Sequence, residues 1–249
     1  MRADSVALIF VARLVGIAIT TVLMAPAIVV ASAFDDRYGY HVSRLWAHAN
    51  LGHSGVRVRA EHRTALDATR PYVFMSNHAS HFDVLAVVAA LPEFQLRWVA
   101  KRELLDIPVF GWALRRAGHI IIDRSNPEQA VASLRAARAQ METGVSVMIF
   151  PEGTREGHDH ELLPLKKGGF MLAIETGVPI VPIAVRGSRA ILSRDDWRIH
   201  GGEIEVLVGR PIEVAGADRE TLMRRVQAFF SRELGLEQPP ALRLVAERR

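Results

Sequence analysis

The sequence predicts an α/β fold: a mixed, mostly parallel central sheet flanked by helices, with an N-terminal apolar helical segment that associates with a membrane. Three observations predict it. From residue 56 onward, short β-branched runs alternate with stretches of helical pattern, the order that builds a sheet with helices on its faces. One run, VSVMIF at 145–150, is apolar throughout, as a strand covered on both faces should be. Residues 6–34 are apolar apart from Ser, Thr and one charge, Arg13.

That first segment reads as a membrane anchor over residues 1–34. Residues 6–25 alone would form a helix ~30 Å long, the thickness of a bilayer's hydrocarbon core. Arg13 lies near its N-terminal end and can snorkel. Other readings stay open: two interfacial helices broken at Pro26, a buried core helix, or a signal peptide cleaved after the ASA at 31–33.

The remainder, 35–249, shows neither linker nor repeat and reads as a single domain. Residues 40–51 look helical, and 56–60 and 72–76 look like neighbouring strands joined by a turn near Asp67. A short helix over 82–91, a strand over 96–100 and an apolar run over 117–123 follow. Asn126 and Pro127 open a helix that reaches about Thr143, where Gly144 stops it. After the strand at 145–150 comes a helix over 168–176 and the strand VPIVPIAV at 178–185, whose Pro179 and Pro182 restrict it to an edge or a bulge. Residues 203–209 alternate and should be half exposed, and 218–234 form an amphipathic helix.

Composition narrows the chemistry. The 249 residues include no cysteine, which excludes disulfides, thiolate metal sites and a cysteine nucleophile. A net charge of +4 and a pI near 9.9 suit anionic partners. Aromatic residues make up only 7% and do not interleave with basic ones, so phosphates and anionic lipids are favoured over nucleic acid.

In α/β sheets, ligands sit where strands give way to the loops after them. The polar residues fall there: Asn77 and His78, Asp123 and Arg124, and Pro151 to Arg155. If His78 and Asp83 were both helical, they would lie about 140° apart and could not meet. With His78 in a turn and Asp83 at the start of the helix, the carboxylate reaches one ring nitrogen and leaves the other free to accept a proton. This is the His–Asp part of a triad, with the nucleophile left to a substrate hydroxyl. Competing readings of the same residues are Asp83 as a helix-terminus charge, a metal held by His78, His81 and Asp83, and Ser80 as a nucleophile without the flanking glycines of an elbow. A cationic set accompanies them: Lys101, Arg124, Arg155, Lys166 and Lys167, with Gly168 and Gly169 exposing backbone N–H groups at a helix start.

Four blocks, NHASHFD at 77–83, GHIIIDR at 118–124, FPEGTR at 150–155 and VPIVPIAV at 178–185, resemble in this order the motifs of the 1-acyl-sn-glycerol-3-phosphate acyltransferase family. AKREL, IPVFGW and LPLKKGGF between them are similar to family segments, and the resemblance covers residues 70–190. His119 departs from it, standing where an apolar residue is common.

The resemblance implies transfer of a fatty acyl group from acyl-CoA or acyl carrier protein to the free hydroxyl of lysophosphatidic acid, forming phosphatidic acid. It implies His78 as general base and Asp83 as its orienter. Arg155, Lys101, Arg124 and a lysine of Lys166–Lys167 would hold the acceptor's phosphate. Glu152, Gly153 and Thr154 would position the glycerol or brace the turn. No cofactor or metal is implied, and the partners are the two substrates and a membrane, at the cytoplasmic face of a bacterial cell. Another lysolipid acceptor such as a lyso-ornithine lipid, an acyl-thioester or lipid hydrolase, and a membrane-tethered binding protein are the alternatives.

Overall fold

The computed structural model describes residues 3–123, 127–154, 162–193, 196 and 198–236. In chain order the elements are α1 (Ala3–Phe34), α2 (Asp36–Ser54), β1 (Val56–His62), β2 (Val73–Ser76), α3 (Phe82–Ala90), β3 (Leu96–Lys101), a 3-10 turn (Arg102–Asp106), α4 (Phe110–Arg116), β4 (Ile120–Ile122), α5 (Pro127–Met141), β5 (Ser146–Ile149), α6 (Gly168–Thr176), β6 (Ile180–Arg186), α7 (Ser188–Ile191), β7 (Gly202–Val208) and α8 (Arg219–Leu234). The strands form one seven-stranded sheet in the order β1-β7-β6-β2-β5-β3-β4. Every pairing is parallel except β6 with β7.

Alternating side chains on the strands build a core on each face. Phe74 and Met148 join Phe82, Leu85 and Leu91 on the α3 side. Val73, Met75, Val147 and Ile149 join Phe170, Leu172, Leu222 and Phe230 on the α6 and α8 side. The sheet is thus covered on both faces, and its central strands need to be apolar throughout.

Two expectations change, and between them an open alternative is decided. β1 and β2 are not neighbours, because β7 and β6 lie between them. The reason is legible in the side chains. VFMS is buried at all four positions and belongs mid-sheet, whereas Arg57, Arg59 and Glu61 suit β1 to an edge. β6 is likewise interior, not an edge. Pro182 is accommodated because the register slips beside it: Ile183 faces Val208, but Ile180 faces Ile212, so three steps on β6 match four on the partner. This is a bulge, the other place a strand tolerates proline.

The second change concerns the N-terminus. α1 runs unbroken through Pro26 and lies against α2. Packing is close, since a Cβ on Gly39 would fall 1.8 Å from Ser32 Oγ. Trp46 Nε1 donates to Thr21 Oγ1 at 3.0 Å. Arg13 is not snorkelling; its Nη1 donates to the Ile199 carbonyl at 2.7 Å, tying α1 to the loop before β7. Leu8–Phe34 is long and apolar enough to cross a bilayer, and much of its outer face is exposed.

Candidate active site

β2 ends at Ser76, and Asn77 continues its ladder with a side chain. Asn77 Nδ2 donates to the Val185 carbonyl at 2.9 Å, and its Oδ1 accepts from the Val185 N–H at 2.7 Å. The amide stands in for a peptide group, which fixes the point where the chain turns away from β6. His78 is the next residue and therefore has a defined position.

Asp83 lies in the first turn of α3 and is fully buried. Its Oδ2 accepts from His78 Nδ1 at 2.8 Å and from the N–H groups of Ala79 and Ser80 at 2.7 and 2.8 Å. The chain folds back between the two residues, as the spacing requires. Both roles weighed for Asp83 are thus present: it satisfies backbone donors at the helix start, and it fixes the imidazole. Donation by Nδ1–H to a carboxylate leaves Nε2 as the basic nitrogen. Nε2 has no partner among the described residues.

The imidazole is also held from its face. Phe150 stacks on it with ring centroids 3.8 Å apart and planes 10° from parallel, and Trp98 lies 5.7 Å beyond Phe150. Sequence reasoning missed this contact, because a phenylalanine at the end of an apolar strand reads only as core.

Glu152 braces the next turn. Its Oε1 accepts from the His78 N–H at 3.0 Å and its Oε2 from the Leu163 N–H at 3.2 Å. Burial dominates and pushes its carboxyl up to about 7, against those two N–H donors, which pull it down. Gly153, with φ of 75°, closes the turn by donating to the Phe150 carbonyl at 3.0 Å. Thr154 follows it, half-buried.

Of the cations, Lys101, Lys166 and Lys167 lie along the same sheet edge, where β2, β3, β4 and β5 all end. Lys101 is the exposed last residue of β3 and pairs in register with Ile122. The Lys166 N–H donates to the Pro151 carbonyl at 2.7 Å, which brings Lys166 and Lys167 beside the Glu152 turn. Gly169 serves packing, since a Cβ there would lie 2.9 Å from Ile149 Cδ1. Arg124 and Arg155, and the cap residue Asn126, lie outside the described residues.

Two competing readings fail on geometry. Ser80 Oγ donates to the Leu192 carbonyl at 2.8 Å and accepts from the Phe82 N–H at 3.3 Å, so its hydroxyl is spent on structure. Among the described residues, no three His, Asp or Glu side chains are grouped to hold a metal. His119 is half-buried, with Nδ1 accepting from the Trp98 N–H at 3.2 Å. Burial and then the Arg97 guanidinium push its ring down to about 3, so it stays neutral and structural.

The acyltransferase family model matches residues 57–186, about half of the chain, and spans all four blocks. The chain belongs to the acyltransferase family. Among its acyltransferase relatives, 1-acyl-sn-glycerol-3-phosphate acyltransferase alpha of Homo sapiens is 36% identical over 163 residues, covering 65% of this chain and 57% of that one. The chloroplastic 1-acyl-sn-glycerol-3-phosphate acyltransferase BAT2 of Brassica napus is 28% identical over 201 residues, covering 78% and 56%. The chain spans just over half the length of these curated relatives. In fold it is similar to the crystal structure of the 1-acyl-sn-glycerophosphate (LPA) acyltransferase PlsC from Thermotoga maritima, with a TM-score of 0.80 at 22% identity, over 94% of this chain and 97% of that one.

Proposed function

We propose that the chain transfers a fatty acyl group from an acyl thioester to the free hydroxyl of lysophosphatidic acid, giving phosphatidic acid. The observation that supports this most is the buried Asp83 holding His78 Nδ1 at 2.8 Å, at a strand end beside lysines. Nε2 takes the proton of the acceptor hydroxyl as that oxygen bonds to the thioester carbonyl carbon. The tetrahedral adduct collapses, the C–S bond breaks, and the imidazolium returns the proton to the departing thiolate. Such general-base help is worth ~10²–10⁴ in rate. Asp83 and the face of Phe150 both favour the transient imidazolium.

Lys101, Lys166 and Lys167, with Arg124 and Arg155 of the family blocks, would hold the acceptor's phosphate. The names of the relatives favour lysophosphatidic acid over other lysolipids. The donor is acyl-CoA or acyl carrier protein; either enters as substrate, and the scheme needs no cofactor. Residues 1–34 would anchor the domain of 35–249 at the cytoplasmic face of a membrane, where both lipids reside.

A panel of lysolipid acceptors, each run with both carriers, tests the reading. Thiol release that depends on lysophosphatidic acid and yields phosphatidic acid is expected. Preference for a lyso-ornithine lipid would change the acceptor. Fatty acid released without any lysolipid would make the protein a hydrolase, and lipid binding without turnover would make it a tethered binding protein.

A further inference from the structure

The segment between β3 and β4 takes no part in the reaction proposed above, yet it is built to protrude. The chain leaves Lys101 into the 3-10 turn, reverses at Ile107–Val109 and returns as α4. The reversal is tight. The Gly111 N–H donates to the Ile107 carbonyl at 2.8 Å, and a Cβ on Gly111 would lie 2.2 Å from the Leu105 carbonyl oxygen. Val109 has φ of 65° and ψ of −51°, a γ-turn closed by the Phe110 N–H donating to the Pro108 carbonyl at 2.7 Å, a conformation that is costly for a β-branched residue. That cost secures little burial, for Ile107, Val109 and Trp112 are 46%, 39% and 50% exposed.

The tip is continuous with a larger apolar face. Ala113 of α4 is buried against Ala25 and Val29 of α1. In the same turns of α1, Val22, Leu23 and Val30 are exposed. Arg115 and Arg116 stand exposed in the last turn of α4, at the rim of the tip.

We propose that Ile107–Trp112 is a second bilayer-contacting element, a wedge that enters an anionic lipid surface beside α1. An indole at the border of an apolar tip suits the membrane interface. Guanidinium groups at the rim complement anionic headgroups. An apolar patch extended over two elements marks an interaction surface rather than scattered exposure. The wedge leaves from Lys101 at the C-terminal end of β3, the sheet edge that also holds His78, and the chain returns through α4 to the start of β4. Seating it fixes the depth at which Lys101 meets lipid phosphates. The inference rests on the membrane association proposed above and adds to it a defined contact.

The absence of cysteine allows single labels in the full chain. Trp112→Cys, Leu23→Cys and Thr143→Cys are each labelled with an environment-sensitive fluorophore and mixed with phosphatidylcholine–phosphatidylglycerol vesicles that contain acyl-chain quenchers. Quenching at 112 and 23 but not at 143 is expected. Trp112→Asp should lower partition into these vesicles about tenfold and leave the rate on detergent-dispersed lysophosphatidic acid unchanged. Quenching at 23 with none at 112 overturns the wedge and leaves α1 attachment standing. Quenching at neither overturns both the wedge and the membrane reading. A shift at 112 that grows with protein concentration in the absence of vesicles means a second copy covers the tip, and also overturns the wedge.

Discussion

Phe150 and Glu152 surround His78 without touching the acceptor in the proposed scheme, and each has its own observable. Phe150→Leu removes the stacked face and should slow acyl transfer about 2- to 10-fold, the worth of an aromatic pair. The acceptor's KM should stay near its wild-type value, because Phe150 touches the base and not the phosphate; a change in KM alone would contradict the positioning role. Glu152 makes a thermodynamic prediction. Its folded value of about 7 lies above the unfolded 4.5, so the stability it contributes is full below about 4.5 and is lost as pH rises through about 7. Between pH 5 and pH 8 the wild type should lose up to about 3 kcal/mol relative to Glu152→Gln. Urea midpoints at the two pH values check this, and equal losses in both proteins would refute it. At this scale the sequence was informative where spacing limits geometry. A turn His and a helix-start Asp five positions apart can close a hydrogen bond, and they do. It was silent on contacts between distant segments, such as Phe150 on His78 or the Trp98 N–H on His119.

The elements show where local pattern stops sufficing. The all-apolar run of β5 and the helix over 168–176 were readable because periodicity and length agree there. Strand order was not, since a strand's own residues do not name its partner. The charges of β1 and the full burial of β2 explain their separation only after the order is known. Pro182 had signalled an edge or a bulge, and the structure has the bulge. The loop before α4 tests an element directly. Gly111→Ala forces a methyl group against the Leu105 carbonyl, so a loss of ~1–3 kcal/mol in stability is expected, the usual range for overpacking. Thermal unfolding measures it, and an unchanged midpoint would mean that the reversal opens without cost.

Across the whole molecule, parallel strands bring separate sequence blocks to one edge. β2 delivers Asn77 and His78, β5 delivers Phe150 to Thr154, and β3 delivers Lys101. The α/β class and the place of the candidate site could be read in advance because ligand positions in such sheets follow strand ends. The attachment of α1 could not be. Its apolar run announced a lipid-facing helix, but the hydrogen bond from Arg13 to Ile199 makes it part of the domain as well. All parts converge on one base acting on a lipid alcohol. Purified wild type and His78→Ala, matched in thermal stability, should be given acyl-CoA and lysophosphatidic acid, and phosphatidic acid followed in time. The account predicts a rate lower by ~10²–10⁴ in the variant. A variant within a few-fold of wild type would contradict it.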